Sequence, residues 1–421
     1  MEAHLPTGIL HYSLPPVTGG VEAVILAQAR NLIRKKFPLI LIGGRGDQAA
    51  LPAEAEFVQI EQIDTQYPRI LKMNEKLEKG EVPEHFEQSV QMIVELLQPV
   101  VRRTDHLIVH NVFTKHFNLP LTAALHRLLD DGGIRHLIAW CHDMTWTSPN
   151  SRHKVHPGYP WDLLRTYRPD VDYVAVSEQR KQDLAKSFGV SDEYIQVIYN
   201  GVDPDKLLGL TPEGAALVER LALLESDLVV LMPVRVTQAK NIEYSLRLMA
   251  VLKEKLESPR LILTGPPDPH ESESMNYFEN LRSLRKQLGV EQNMRFVYES
   301  GPDPDEPYLI DELVVGDLFR VSDLVFMPSH REGFGMPVLE AGLAGIPVIA
   351  TSIPAAQEIG REAVMIMDPD QPPAELAGQL LEMLERNPIS RLKRRVRQEY
   401  TWDAILRRKL MPLLSEKKEN H

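Results

Sequence analysis

The sequence predicts an α/β protein built from two doubly wound, parallel-sheet domains. Short apolar runs alternate with amphipathic segments from one end to the other, the pattern of strands joined by crossover helices. The alternation occurs as two series separated by "NGVDPDKLLGLTPEGAA" (200–216), whose Gly, Pro and Asp content reads as a connector. The length of 421 residues also suits two cores better than one.

In the first series, "GILHYSL", "FPLILIGG", "DHLIVHN", "RHLIAWCHD", "VDYVAVSE" and "IQVIYNGVD" read as strands running into loops. Between them "GGVEAVILAQARNLIRKK", "EHFEQSVQMIVELLQPVVRR", "LPLTAALHRLLDDG" and "EQRKQDLAKSFG" carry helical spacing. The second series supplies the strands "SDLVVLMPV", "PRLILTGPP", "NMRFVYES", "SDLVFMPS", "GIPVIATS" and "AVMIMDP". Its helices are expected at 241–256, 271–288, 311–321, 337–344 and 373–386. The predicted domains are 1–203, joined by a final helix at about 400–421, and 204–399. Ligands are expected at the carboxyl ends of the strands.

The formal net charge of −12 argues against a nucleic-acid partner, because neutralising phosphates requires surplus Lys and Arg. A single cysteine, Cys141, excludes an intramolecular disulfide framework and a Cys-rich zinc site. No segment resembles a signal peptide and no apolar run approaches the ~20 residues that span a bilayer, so a cytoplasmic enzyme is expected. The basic stretch "RNLIRKKF" on the first helix reads as a solvated helix end, with peripheral contact to an anionic membrane as the alternative. "TGPPDPHESES" contains metal-compatible residues at no metal-specifying spacing, and no metal is expected.

The most specific stretch is "SHREGFGMPVLEAGLAGIPVIA" (329–350). A buried strand ends at Ser329 and Pro337 is placed to open a helix. Gly333 and Gly335 let the backbone approach a ligand closely, with Phe334 between them and Met336 following. The N–H groups around Gly335, Met336 and Val338 are expected to face the mouth of the loop. Glu332 precedes the turn, and Glu340 is expected in the helix's first turn, where the macrodipole favours a carboxylate. Two carboxylates beside amide donors suit a hydroxyl-rich ligand.

"EGFGMPVLE", followed by "AGLAGIPVIAT", resembles the signature of the retaining family 4 glycosyltransferases. The similarity extends from the "TGG" near the start to the "YTW" near the end and is strongest over 228–360. It implies the GT-B fold, two Rossmann-like domains facing a central cleft, with the final helix returning to the first lobe. It also implies a nucleotide-diphosphate sugar as co-substrate, with no other cofactor.

In "LMPVRVTQAKN", Arg235 and Lys240 lie beyond a strand. Two cations there suit a diphosphate leaving group, and the resemblance makes them the diphosphate clamp. Paired Gly19 and Gly20 between the first strand and first helix are weak evidence alone; by resemblance they border the donor phosphates, and Glu22 follows them. In "LIAWCHDMTWTSP", His142 ends a strand, and the resemblance places such a histidine near the transferred sugar, with Asp143 to orient it. Trp140 and Trp146 nearby read as core or as an apolar wall. His110 and Asn111 end another strand on the same edge and are candidates for acceptor contact, as is Asp143.

The expected function is retaining transfer of a hexosyl group from a donor of the UDP-glucose or GDP-mannose type to a hydroxyl-bearing small molecule or glycan. By resemblance Glu340 holds the ribose, Glu332 with Gly333–Met336 grips the sugar, and Arg235 with Lys240 stabilises the departing diphosphate. A sugar-nucleotide epimerase or phosphorylase-like enzyme of the same fold is the alternative, and a non-catalytic sugar-nucleotide-binding protein a third reading. The long loop "YESGPDPDEPYLIDE" leaves the nucleotide base open.

Overall fold

The computed structural model describes residues 5–268 and 273–415. The expected metal-compatible segment falls partly on residues 269–272, outside the described residues. Two compact units appear: one takes the chain up to Gly201 and again from Ile405, the other is Val202–Ala404.

The first unit is built on seven parallel strands: β1 (Thr7–His11), β2 (Leu39–Gly43), β3 (Glu56–Gln59), β4 (His106–His110), β5 (Leu137–Cys141), β6 (Val171–Ala175) and β7 (Ile195–Val197). Their order is β3-β2-β1-β4-β5-β6-β7. Central strands such as "LILIG" and "LIAWC" are buried along their whole length, as expected where helices cover both faces. Alternate residues take opposite sides. Leu10, Ile40, Ile42, Leu107 and Val109 join a core with Phe86, Val90, Ile93 and Leu97 of the helix Phe86–Val101 and with Leu121 and Leu125 of Leu119–Asp130. The segment Leu406–Leu410 packs against the first helix, Gly20–Arg34.

The second unit contains β8 (Leu228–Met232), β9 (Pro259–Leu263), β10 (Met294–Phe296), β11 (Leu324–Met327), β12 (Val348–Ala350) and β13 (Val364–Ile366). All pair in parallel, in the order β10-β9-β8-β11-β12-β13. Along β8, Leu228, Val230 and Met232 face a core with Leu246 of Ile242–Lys255 and Leu380 of Pro373–Arg386. Val229 and Leu231 face the opposite core with Leu217 and Leu318. Strand order reverses between β1 and β4 in the first unit and between β8 and β11 in the second, and such switch points open crevices at the carboxyl ends of strands.

Several elements differ from expectation. Strand β3 and the helix Pro68–Leu77 form where no element was predicted, and so does the helix Pro388–Glu399. The expected connector contains the helices Pro204–Leu208 and Pro212–Arg220, the second capped by Thr211 and anchored through buried Leu217 and Val218. The unit boundary accordingly lies before these helices, at Gly201/Val202. Among the described residues no helix is long and apolar enough to cross a membrane.

Pro388–Glu399 is held by a buried ion pair. Arg397 donates from Nη1 and Nη2 to Asp323 Oδ1 and Oδ2 at 2.9 and 2.7 Å, and its Nε donates to the Ser226 carbonyl. Asp323 also accepts the Val229 N–H at 2.7 Å, fixing the helix to the start of β8. Removing one member of a buried pair strands the other's charge. Arg397→Ala is therefore expected to destabilise the protein by about 3–5 kcal/mol, read as a lower urea midpoint; an unchanged midpoint would show that the pair holds nothing.

Candidate active site

Beyond β8 and β11 in the second unit lies a cavity of about 570 Å³ whose walls include Arg235, Lys240, Glu332 and the turn Gly333–Met336. Lys240 closes a short 3₁₀ turn, Gln238–Lys240, and its Nζ lies 2.6 Å from Glu332 Oε1. Ser329 Oγ donates to the same oxygen at 2.8 Å. The His330 N–H donates to the Ala239 carbonyl at 2.8 Å, so backbone as well as side chains join the two loops. Arg235 is exposed and, among the described residues, has no ion-pair partner.

The turn depends on its glycines in different ways. Gly335 has φ +105°, in the left-handed region, and a Cβ there would stand 2.8 Å from Ile353 Cδ1; only glycine fits this conformation without strain. A Cβ on Gly333 would meet nothing within 4 Å, so its backbone borders open space. Phe334 and Met336 are both exposed beside it. Gly265, which the sequence did not single out, has a packing role. A Cβ at Gly265 would stand 2.5 Å from the Val234 carbonyl oxygen, so the loop after β9 can press against the backbone leading to Arg235. Its signal in the sequence was the "TGPP" turn. Ser329 was noted only as a strand end.

Two details correct the expected turn. The helix is Met336–Ala344 with Gly335 as N-cap and no acidic residue in its first turn. Glu340 is its fifth residue, so its carboxylate does not serve the helix terminus. It is exposed and does not line the cavity. Four residues after Met336, it lies on the same helix face as that cavity residue. Partial desolvation, then the Glu312 carboxylate, raise the Glu340 pKa above its ordinary value. The Val338 N–H also differs from expectation, because it donates to the Gly335 carbonyl at 3.1 Å.

In the first unit, the loops after β1, β4 and β5 assemble a histidine cluster. His110 Nδ1 lies 3.0 Å from His142 Nε2, and His110 Nε2 lies 3.0 Å from Gln28 Oε1. His11 Nδ1 donates to the His110 carbonyl at 3.0 Å. Glu22 accepts from Ser13 Oγ at 2.8 Å, and a Cβ on Gly19 would overlap its carboxylate, whereas Gly20 faces open space. His110 is fully buried with both ring nitrogens engaged, so it supports His142 and does not offer itself to an acceptor. Asn111, at φ 63°, is buried too, and its Oδ1 accepts the His142 N–H at 2.9 Å. It splices the tips of β4 and β5 together and takes no exposed contact role.

Asp143 does not orient His142. Its carboxylate pairs with Lys115 at 2.9 Å and with Arg180 at 3.5 Å. Burial, countered by the Lys115 hydrogen bond and charge, leaves its pKa lowered. Trp140 is wholly buried, and Trp146 packs against the core with its Nε1 donating to the Trp161 carbonyl. Burial pushes the Cys141 thiol up to about 12, which makes it a core residue without thiolate chemistry.

Burial, then the His11 ring, lower His142 to about 4, and burial holds His110 well below its ordinary range. Burial lowers His11 against the opposing pull of the His110 carbonyl and Glu22, and burial also lowers His116 and His126 to about 4. These imidazoles are neutral at pH 7. For His142, His116 and His126, between the ordinary value of 6.5 and about 4, the unfolded chain binds protons that the folded chain refuses. Their contribution to stability is therefore complete above pH 6.5 and is lost as pH falls through about 4. Urea unfolding is expected to show a lower midpoint at about pH 5 than at about pH 7.5; equal midpoints would contradict the burial of neutral histidines.

The chain is similar to known glycosyltransferases. The family described as Glycosyl transferases group 1 matches residues 216–401, and that described as Glycosyltransferase Family 4 matches residues 18–206. The mannosylglucosylglycerate synthase of Petrotoga mobilis is 23% identical over 365 residues, covering 82% of each chain. A D-inositol 3-phosphate glycosyltransferase of Jonesia denitrificans is 29% identical over 244 residues, and the match covers 55% of this chain and 53% of that relative. Among solved structures, Anabaena HepE in complex with UDP and glucose is 18% identical, covering 98% and 100% of the two chains at a TM-score of 0.36. Matched nearly end to end by the two family descriptions, and folded as two parallel-sheet α/β units, the chain belongs to the family 4 glycosyltransferases of the GT-B fold.

Proposed function

We propose that the protein transfers a hexosyl group from a nucleotide-diphosphate sugar to a hydroxyl acceptor, with retention of anomeric configuration and without a metal ion. The observation that carries this reading is the single cavity gathering Arg235, Lys240, Glu332 and the Gly333–Met336 backbone. Its volume lies within the range of small-molecule sites.

The second unit takes the donor. Lys240 and Arg235 hold the diphosphate and offset the charge that develops as the glycosidic bond breaks. Glu332, fixed by Lys240 and Ser329, accepts hydrogen bonds from the sugar hydroxyls, and the open backbone at Gly333 admits the ring. Glu340 reaches the ribose from the same helix face as Met336. The acceptor oxygen forms its bond to the anomeric carbon on the face from which the phosphate departs. The carbon–phosphate oxygen bond breaks with its electron pair, and the acceptor proton passes to the leaving phosphate. The products are a glycoside and a nucleoside diphosphate. In the first unit, His142 is a neutral hydrogen-bonding ring held by His110 and bears on the acceptor. The donor is of the UDP-glucose or GDP-mannose type, and the reaction is cytoplasmic.

Product formation from UDP-glucose and GDP-mannose over a panel of acceptors tests this reading, with the anomeric configuration read by NMR. Lys240→Ala is expected to lower kcat by about 10²–10³-fold, the loss seen when one transition-state donor is removed. Glu332→Ala is expected to remove transfer from a folded protein, and undiminished transfer would take Glu332 out of the site. Activity is expected to persist in EDTA; its loss there would overturn the metal-free mechanism. A changed sugar formed without any acceptor would favour an epimerase instead.

A further inference from the structure

A second cavity of the second unit, about 640 Å³ in volume, adjoins the loops that carry Lys240 and Glu332. Its walls include Gln238 and Asn241, on either side of Lys240 in the chain, and His330, two residues before Glu332. The helices beside it, Ile242–Lys255 and Ser274–Gln287, enter one core through Leu246 and Phe278. Met336–Ala344, which walls the Lys240–Glu332 cavity, enters the opposite core through Val338 and Ala341. The two cavities therefore share one pair of loops, and helices from opposite faces of the sheet form their outer walls.

Three groups around this second cavity stand open. Asn241 is more than nine-tenths buried, at 8% exposure, and its side chain has no hydrogen-bond partner among the described residues. Polar groups buried so deeply are rarely left unbonded, and because Asn241 borders the cavity its partner can enter from there. Arg247 is exposed on the same wall and forms no ion pair among the described residues. Glu243, one helical turn before it, is engaged elsewhere: Tyr277 Oη donates to its Oε2 at 2.8 Å. The exposed His330 ring also has no partner among the described residues. The unpaired charge of the cavity is thus positive. A carboxylate offers two oxygens in one plane. A phosphate presents acceptor oxygens in several directions, which suits a guanidinium, an amide and an imidazole carried by different segments.

We propose that this cavity binds a phosphate group, free or carried by a small metabolite, and acts as an effector site for the Lys240–Glu332 cavity. Arg247 supplies the charge, and Asn241 and His330 donate hydrogen bonds. Because Asn241 adjoins Lys240 and His330 leads to Glu332, the bound anion holds both loops at the spacing of the 2.6 Å Lys240–Glu332 contact. The effect on nucleotide binding rests on the transferase reading; the binding of phosphate does not.

Calorimetry on the full chain tests it, with inorganic phosphate, glucose 6-phosphate and uncharged glucose as probes and UDP titrated with and without phosphate. Thermal unfolding accompanies each variant. Both phosphates are expected to bind and glucose is not, and the tighter of the two identifies the source of the group. Arg247→Ala and Asn241→Gly are each expected to weaken phosphate about tenfold. Glycine is chosen because Asn241 has φ 50°, where a side chain is disfavoured; Arg247→Ala, at an exposed helix position, keeps the test valid if that variant unfolds. Saturating phosphate is expected to tighten UDP about fivefold, an effect lost in Arg247→Ala. Phosphate binding that ignores both substitutions, phosphate binding abolished only when Arg235 and Lys240 are both replaced by alanine, or UDP affinity weakened by phosphate through competition would each overturn the effector site. Phosphate binding sensitive to Arg247→Ala in a protein that binds no nucleotide would support the anion site and sink the donor reading alone.

Discussion

Lys240 and Glu332 come from loops that follow different strands, β8 and β11, and meet at 2.6 Å with only 19% and 10% of their side chains exposed. Holding two charges so far from water is costly unless each finds partners. Ser329 bonds the carboxylate, and the His330–Ala239 backbone bond pins the loops on either side. The pair thus sets the spacing of the two loops before any ligand arrives. Groups fixed in advance around developing charge need little reorganisation in the transition state, which is where electrostatic catalysis gains its strength. Gly335, in a backbone conformation that disfavours side chains, and Gly265, under the Arg235 backbone, are the steric conditions for this arrangement.

Both units gather polar side chains at the point where strand order reverses. In the second unit the result is a charged cavity with a carboxylate, an ammonium and a guanidinium. In the first it is a buried, neutral network in which Gln28, His110 and Asn111 position His142. The difference follows from burial. Lys240 and Glu332 face one another at 2.6 Å as an ion pair, while desolvation keeps the imidazoles uncharged. One topological rule therefore produces an electrostatic site and a hydrogen-bonding site from similar sheets.

The strand series was legible because buried parallel strands are continuous apolar runs, and the "EGFGMPVLE" turn was legible because glycines, proline and carboxylates coincide in nine residues. Strand β3 was not, since "EFVQ" is a four-residue edge strand with both ends exposed and carries little apolar signal. The helix Pro212–Arg220 hid inside a Pro- and Gly-rich stretch whose proline opens a helix. Long-range pairings were beyond any local pattern. Asp143 looked adjacent to His142 in sequence, yet its carboxylate meets Lys115 and Arg180. Gln28 sits 82 positions from the histidine it holds. The helix at Glu340 begins one residue earlier than its proline suggested, which moves the carboxylate out of the first turn.

Thermal unfolding of the full chain with UDP-, GDP- and ADP-sugars bears most directly on the Arg235–Lys240–Glu332 cavity as the donor site. A selective ligand at about 100 times its Kd stabilises the folded state by about 2.7 kcal/mol. The predicted result is a raised unfolding temperature with one nucleotide-sugar class, abolished when Lys240 and Arg235 are both replaced by alanine. An equal rise in that double variant would contradict it, because the donor would then be held elsewhere.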